Sequence, residues 1–185
     1  MNPIEIKQTP EDVAVFSAGG TFEKVYPKGA GARDLVFGDS SAAEEMVQRL
    51  GLYGVTVDYM PHQAKDSLDM TDADRSMIAA FCVEDSDKCI VIIHGTDTMV
   101  ETARYLASFE IPKTIVLTGS LQPACMKGSD AEGNFVSAVL ASRLMGRGVW
   151  ICMHGELFPY DSCRKNPDTG YFESLPPSIR IPTAG

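Results

Sequence analysis

The sequence predicts an α/β fold: a three-layer, doubly wound, mostly parallel sheet of five or more strands, Rossmann-like, with helices on both faces. Three observations carry this expectation. Short apolar runs alternate five times with stretches of helical period, the pattern of successive β-α-β units. The runs are continuously apolar, as strands buried on both faces are. Most end in glycine, serine or threonine, the chemistry of a tight hand-over from strand to helix.

The elements follow in order. Val13–Ser17 is the first strand and runs into Ala18-Gly19-Gly20-Thr21. Residues 22–38 form a connection longer than the usual dozen, read as a mobile flap over a site or as a disordered surface loop. Ser40 or Ser41 caps a helix to about Leu50, with Ala42, Ala43, Met46, Val47 and Leu50 at helical spacing. Roughly Val55–Met60 is the second strand, stopped by Pro61, and the polar segment with Asp66-Ser67-Leu68-Asp69-Met70 follows. Thr71 with Asp74 starts a helix whose apolar stripe is Met77, Ile78, Phe81 and Cys82. Cys89–Ile93 is the third strand; it enters His94-Gly95-Thr96-Asp97-Thr98, where Asp97 or Thr98 caps a helix from Met99 to about Phe109. Thr114–Thr118 is the fourth strand, ending in Gly119-Ser120. After a loop over 121–128, Ser129 and Glu132 form a capping box for a helix to about Met145. Val149–Met153 is the fifth strand. Residues 1–175 are expected to form one domain, and the proline-rich end, 176–185, a flexible tail.

Composition narrows the functions. The net charge of −9 argues against nucleic acid and anionic membranes, which need basic surface. No apolar run approaches the ~20 residues of a membrane span, and the N-terminus lacks the blocks of a signal peptide. Five cysteines without a CxxC fit free thiols in a reducing cytoplasm. The expected location is therefore cytoplasmic.

Right-handed crossovers place every strand-to-helix loop at one edge, where ligands bind in open α/β sheets. That edge gathers Gly19-Gly20-Thr21, Ser67 with Asp69, Thr96-Asp97, Gly119-Ser120 and the segment holding Lys165. GxGxxG, GxxxxGK[ST] and GxSxG are all absent, and the three histidines lack metal-ligand spacing. No metal and no cofactor is expected. His94 and His154, each followed by glycine at a strand end, read as turn-ordering residues.

Two threonines fit better. Thr21 and Thr96 leave adjacent strands toward one crevice, and a threonine hydroxyl needs a neighbouring base to act as a nucleophile. Asp97 stands beside Thr96, and Lys165, held between hydroxyl and carboxylate, can accept a proton. Tyr26 on the flap can be brought over Thr21. The backbone amides of Gly20, Thr21 and Thr96 can form an oxyanion hole, worth roughly 3–4 kcal/mol per donor in acyl transfer. Against this stands a plainer reading, in which these groups only make turns and caps.

Taken together, Phe16-Ser17-Ala18-Gly19-Gly20-Thr21, Asp66-Ser67-Leu68-Asp69-Met70 and His94-Gly95-Thr96-Asp97-Thr98-Met99 resemble the bacterial-type L-asparaginase family. Glu156-Leu157-Phe158 with Arg164-Lys165 resembles its lysine loop. The similarity runs from about Val13 to Leu175 and covers that family's N-terminal domain only. It implies that Thr21 is the nucleophile forming a β-aspartyl ester, with Tyr26 its flap partner. It implies a second centre of Thr96, Asp97 and Lys165, with Asp97 also pairing with the substrate ammonium and Ser67 holding its carboxylate. The implied substrate-binding set is Gly20, Asp66, Ser67, Leu68, Gly95, Thr96, Asp97 and Ser120.

There are three departures. Ser17 stands where the family usually has threonine. Leu68 stands where a polar amide residue follows the serine, and a lost hydrogen bond to a charged group costs about 1.5–3 kcal/mol. The family's smaller C-terminal domain, with an acidic residue that partners the first threonine centre, has no counterpart in these residues. The expectation is an amidohydrolase that converts L-asparagine to L-aspartate and ammonia. The alternatives are a non-catalytic amino-acid-binding module, or an amidase acting on glutamine or another amide. A homo-oligomer, dimer or tetramer, is expected to cover the site.

Overall fold

The computed structural model describes residues 11–28 and 34–176. In chain order its elements are β1 (Val13–Ser17), β2 (Lys24–Val25), β3 (Val36–Phe37), α1 (Ala42–Leu50), β4 (Val55–Tyr59), α2 (Asp72–Glu84), β5 (Cys89–Ile93) and α3 (Met99–Ala107). There follow β6 (Thr114–Thr118), α4 (Ala131–Leu144), β7 (Gly148–Met153), β8 (Glu156–Pro159), β9 (Cys163–Lys165) and β10 (Phe172–Ser174). The tail expected over 176–185 lies, apart from Pro176, outside the described residues.

Six strands form the main sheet in the order β4-β1-β5-β6-β7-β8. The first five are parallel and β8 turns back antiparallel on β7. β1, β5 and β6 are buried along their whole length, which is why their sequences are apolar without alternation. Alternate side chains still go to opposite faces. Phe16, Ile90, Ile92, Ile115 and Leu117 pack with Ile78 of α2 and Met99, Ala103 and Leu106 of α3. Val13, Val15, Val91, Ile93 and Val116 pack with Ala43 and Met46 of α1 and Phe135, Ala138 and Val139 of α4. Fully burying each large apolar side chain contributes roughly 1.5–3 kcal/mol before conformational entropy is set against it.

That distribution corrects one expectation. Going from β1 to β4 the chain crosses the sheet one way with α1 on one face; the next three crossovers all run the other way. α2 and α3 use the opposite face, but α4 shares the face of α1. The β6-α4-β7 crossover is therefore opposite in hand to the other three, an arrangement seen in only about 2% of such units. The long Gly119–Asp130 connection allows it, by carrying the chain across the sheet edge before α4 begins. Phe22 then packs edge-on against Phe135, with ring centroids 6.0 Å apart.

Helix starts divide between local and tertiary control. Ser41 caps α1 by accepting from the amides of Ala43 and Glu44, and Thr71 with Asp74 closes a reciprocal capping box on α2. The capping box expected from Ser129 and Glu132 does not form. Asp130 is the N-cap, Ser129 Oγ accepts from Ala131 N, and Glu132 pairs instead with Arg49 of α1. Met77 leaves the expected α2 stripe and is 43% exposed. The connection over 22–38 holds a 3-10 turn, Thr21–Glu23, and the antiparallel β2–β3 pair, rather than loop alone.

Candidate functional site

Between β1 and β5 the strand order reverses, and the helices that follow them leave to opposite faces. This opens a crevice at the C-terminal strand ends. The loops around it touch backbone to backbone. Gly20 adopts φ 76, ψ −177, a conformation available essentially only to glycine, and donates its N–H to Lys65 O at 2.9 Å. A β-carbon there would lie 2.5 Å from Gly95 Cα and N, and one at Gly95 would lie 2.8 Å from Ser67 Cβ and Oγ. Three loops are thus packed at the limit of approach.

Thr21 follows at the head of the 3-10 turn. Among the described residues its N–H and hydroxyl find no hydrogen-bond partner. Gly20, expected to supply an oxyanion amide, gives it to Lys65 instead. Two residues past Thr21 lies a group that the sequence did not announce. Glu23 is fully buried and accepts from Ser17 Oγ (2.7 Å), Ser41 Oγ (2.9 Å) and Ala42 N (2.6 Å). Burial pushes its carboxyl above the ordinary range, against those hydrogen bonds. Glu23 ties the end of β1 to the start of α1 behind Thr21. Its only sequence signal was a lone acid near the double glycine.

Just past β5, Thr96 is buried and Asp97 half exposed. Lys165, arriving on β9, places Nζ 2.8 Å from Thr96 Oγ1 and 2.6 Å from Asp97 Oδ1. The structure therefore brings together the three residues expected to form the second centre. Neither Asp97 nor Thr98 caps α3 with its side chain. Thr98 Oγ1 donates to Ser67 O at 2.8 Å and Thr98 N to Ser67 Oγ at 3.3 Å. The excess of hydroxyl and carboxylate groups at this strand end thus serves neighbouring loops, not the helix.

The remaining expected residues are placed differently. Asp66 forms an ion pair with Lys24 of β2 at 2.8 Å. Leu68 stands 73% exposed and Tyr26 65% exposed, so the Tyr26 ring lies largely in solvent and not against the crevice. Ser120 is buried and its hydroxyl donates to Gln122 O at 2.6 Å, which commits its proton to a turn. Among the described residues no group of three His, Cys, Asp or Glu is placed to hold a metal ion. None of their helices is long and apolar enough to cross a membrane, and all five cysteines are unbridged.

Residues 12–174 match the family model described as asparaginase, N-terminal. The chain belongs to the asparaginase family. Asparaginase-family relatives include a glutamyl-tRNA(Gln) amidotransferase polypeptide from Methanococcus vannielii, 40% identical over 78 residues, which are 40% of this chain and 18% of that one. A probable periplasmic L-asparaginase of Haemophilus influenzae is 41% identical over 71 residues, 36% of this chain and 20% of that protein. The structure of L-asparaginase I from Vibrio cholerae superposes with a TM-score of 0.78 over 91% of this chain and 53% of that one. At 24% identity, that superposition speaks for the fold. The chain thus spans about half of this asparaginase structure, and its matches cover about a fifth of each curated asparaginase-family relative named.

Proposed function

We propose that this crevice hydrolyses the side-chain amide of L-asparagine to L-aspartate and ammonia. The observation that carries the proposal is the Lys165 ammonium, within hydrogen-bond reach of the Thr96 hydroxyl and the Asp97 carboxylate at once. A lysine so held is placed to pass a proton to and from a hydroxyl. The Thr21 hydroxyl, without a hydrogen-bond partner among the described residues, is the proposed nucleophile. Its oxygen attacks the amide carbonyl carbon while its proton leaves through a neighbouring base. The C–N bond then breaks, ammonia departs with the added proton, and an ester to Thr21 remains. Water attacks that ester, releases the carboxylate and restores the hydroxyl. The Thr21 and Thr96 amides are placed to receive the oxyanion, and Asp97 the substrate ammonium.

Residues 1–175 are proposed as one domain in a cytoplasmic homo-oligomer. The exposed row Val136, Leu140 and Leu144 on α4 supports association, which light scattering reads directly. A second reading has its own observation: Leu68, apolar and exposed at the crevice, loosens the hold on a free amino acid and favours glutamine or another amide.

Ammonia release is to be followed over a panel of amides for the wild type, Thr21→Ala and Thr96→Val. Activity on asparagine that falls about 10²-fold or more in each variant is expected. Full activity in both sinks the mechanism. Binding of L-aspartate without turnover makes the domain a non-catalytic amino-acid-binding module instead.

A further inference from the structure

We propose that Arg75, Thr102 and His94 form a one-directional hydrogen-bond chain that sets the Gly95–Thr96 peptide, which makes His94 a positioning residue for the crevice. The inference rests on the amidohydrolase reading above. His94 is wholly buried at the end of β5. Its Nδ1 lies 2.7 Å from Gly95 O; a carbonyl only accepts, so Nδ1 carries the hydrogen. Burial holds the ring neutral, with its pKa lowered to about 4, which leaves a lone pair on Nε2. Thr102 Oγ1, 2.9 Å from Nε2, must therefore donate to it, and in turn accepts from Arg75 Nε at 3.2 Å. Arg75 is fixed by Asp72 at 3.1 Å and Glu101 at 3.3 Å.

Every proton in this chain has one direction, and its far end is the Gly95 carbonyl, turned toward the ring. In a trans peptide the N–H points opposite to the C=O, so the Thr96 amide faces away from His94. No acceptor among the described residues takes it. The chain thereby holds an unfilled donor beside the Thr96–Lys165 contact. Its outer members come from α2 and α3, so the packing of two helices is coupled to the aim of one backbone amide.

The test uses Thr102→Val and Thr102→Ser, with His94→Asn and His94→Gln, in the full chain. Thr102→Val is expected to lower kcat roughly tenfold or more while KM changes little, because one oxyanion donor is worth about 10²–10³ in rate. Thr102→Ser is expected to recover most of it. His94→Asn keeps an N–H where Nδ1 was, so its kcat should exceed that of His94→Gln. Long-range proton–nitrogen NMR reads the His94 tautomer without reference to activity, and Nδ1–H is expected. A proton on Nε2, a wild-type kcat in Thr102→Val, or no recovery in Thr102→Ser overturns the proposal. If the wild type releases no ammonia from any amide, the amidohydrolase reading has failed. The tautomer, with the Thr96 amide shift in Thr102→Val against Thr102→Ser, then still decides the chain.

Discussion

Gly20→Ala probes the contact on which the crevice is built. The added methyl would lie 2.5 Å from Gly95 Cα and N and 3.0 Å from the His94 carbonyl carbon, all of them backbone atoms unable to rotate away. Two costs add. Holding alanine at φ 76, ψ −177 costs on the order of 1–3 kcal/mol, and forcing a methyl into a filled space costs about 1–3 kcal/mol more. Gly51→Ala is the matched control, since Gly51 also has positive φ, at 63, but a methyl there meets nothing within 4 Å. That substitution should cost only about 1–2 kcal/mol. Urea titrations and melting curves of the three proteins measure the difference, at about 2–4 °C per kcal/mol for a chain of this size. Activity should fall further than stability in Gly20→Ala, because Thr21 moves with residue 20. If Gly20→Ala is no less stable than Gly51→Ala, the loops do not meet as described and the crevice geometry is wrong.

Two further outcomes are expected. Lys165→Met removes the ammonium from Thr96 and Asp97 but keeps most of the side-chain volume; ammonia release should fall about 10²–10⁴-fold. Because Asp97 is half exposed, stability should change by no more than about 1 kcal/mol, and a large stability loss with activity intact would contradict the assignment. His94 gives a pH signature. Burial depresses its folded pKa to about 4 from the usual 6.5, so between those values the unfolded chain binds the proton and the folded chain does not. Its stabilising contribution is therefore complete above pH 6.5 and is lost as pH falls toward 4, by about 3 kcal/mol in all. Stability measured from pH 7 to 4 should lose that component in His94→Asn.

Where the sequence was readable, the reason was local. Continuous apolar runs such as Cys89–Ile93 need only their own composition to announce burial on both faces, and Ser41 and Thr71 cap with atoms two or three residues away. The pairing of Thr96 with Asp97 and Lys165 was open to view because strand order puts their loops on one edge. What stayed hidden depends on partners far off in the chain. Glu132 abandons its capping box for Arg49, Thr98 leaves its own helix for Ser67, and Gly20 gives its amide to Lys65. Glu23 looked like surface charge because the two serines that receive it lie at 17 and 41. The hand of the last crossover is not a property of any window of sequence. It depends on which face offers room for α4.

That reversed crossover changes what the Gly119–Asp130 segment is for. A chain crossing the sheet edge at this point acts as a clasp: Ala124 N bonds Phe22 O at 3.2 Å, and Cys125 Sγ approaches Lys24 O at 3.5 Å. Those carbonyls belong to the turn that carries Thr21 and to the strand just after it. Shortening the segment would leave too little slack to reach the face of α1, and the same deletion would unfasten the first loop of the crevice. Length in this one connection is therefore shared between topology and site, and a deletion scan along the chain should find it far less tolerant than its surface position implies.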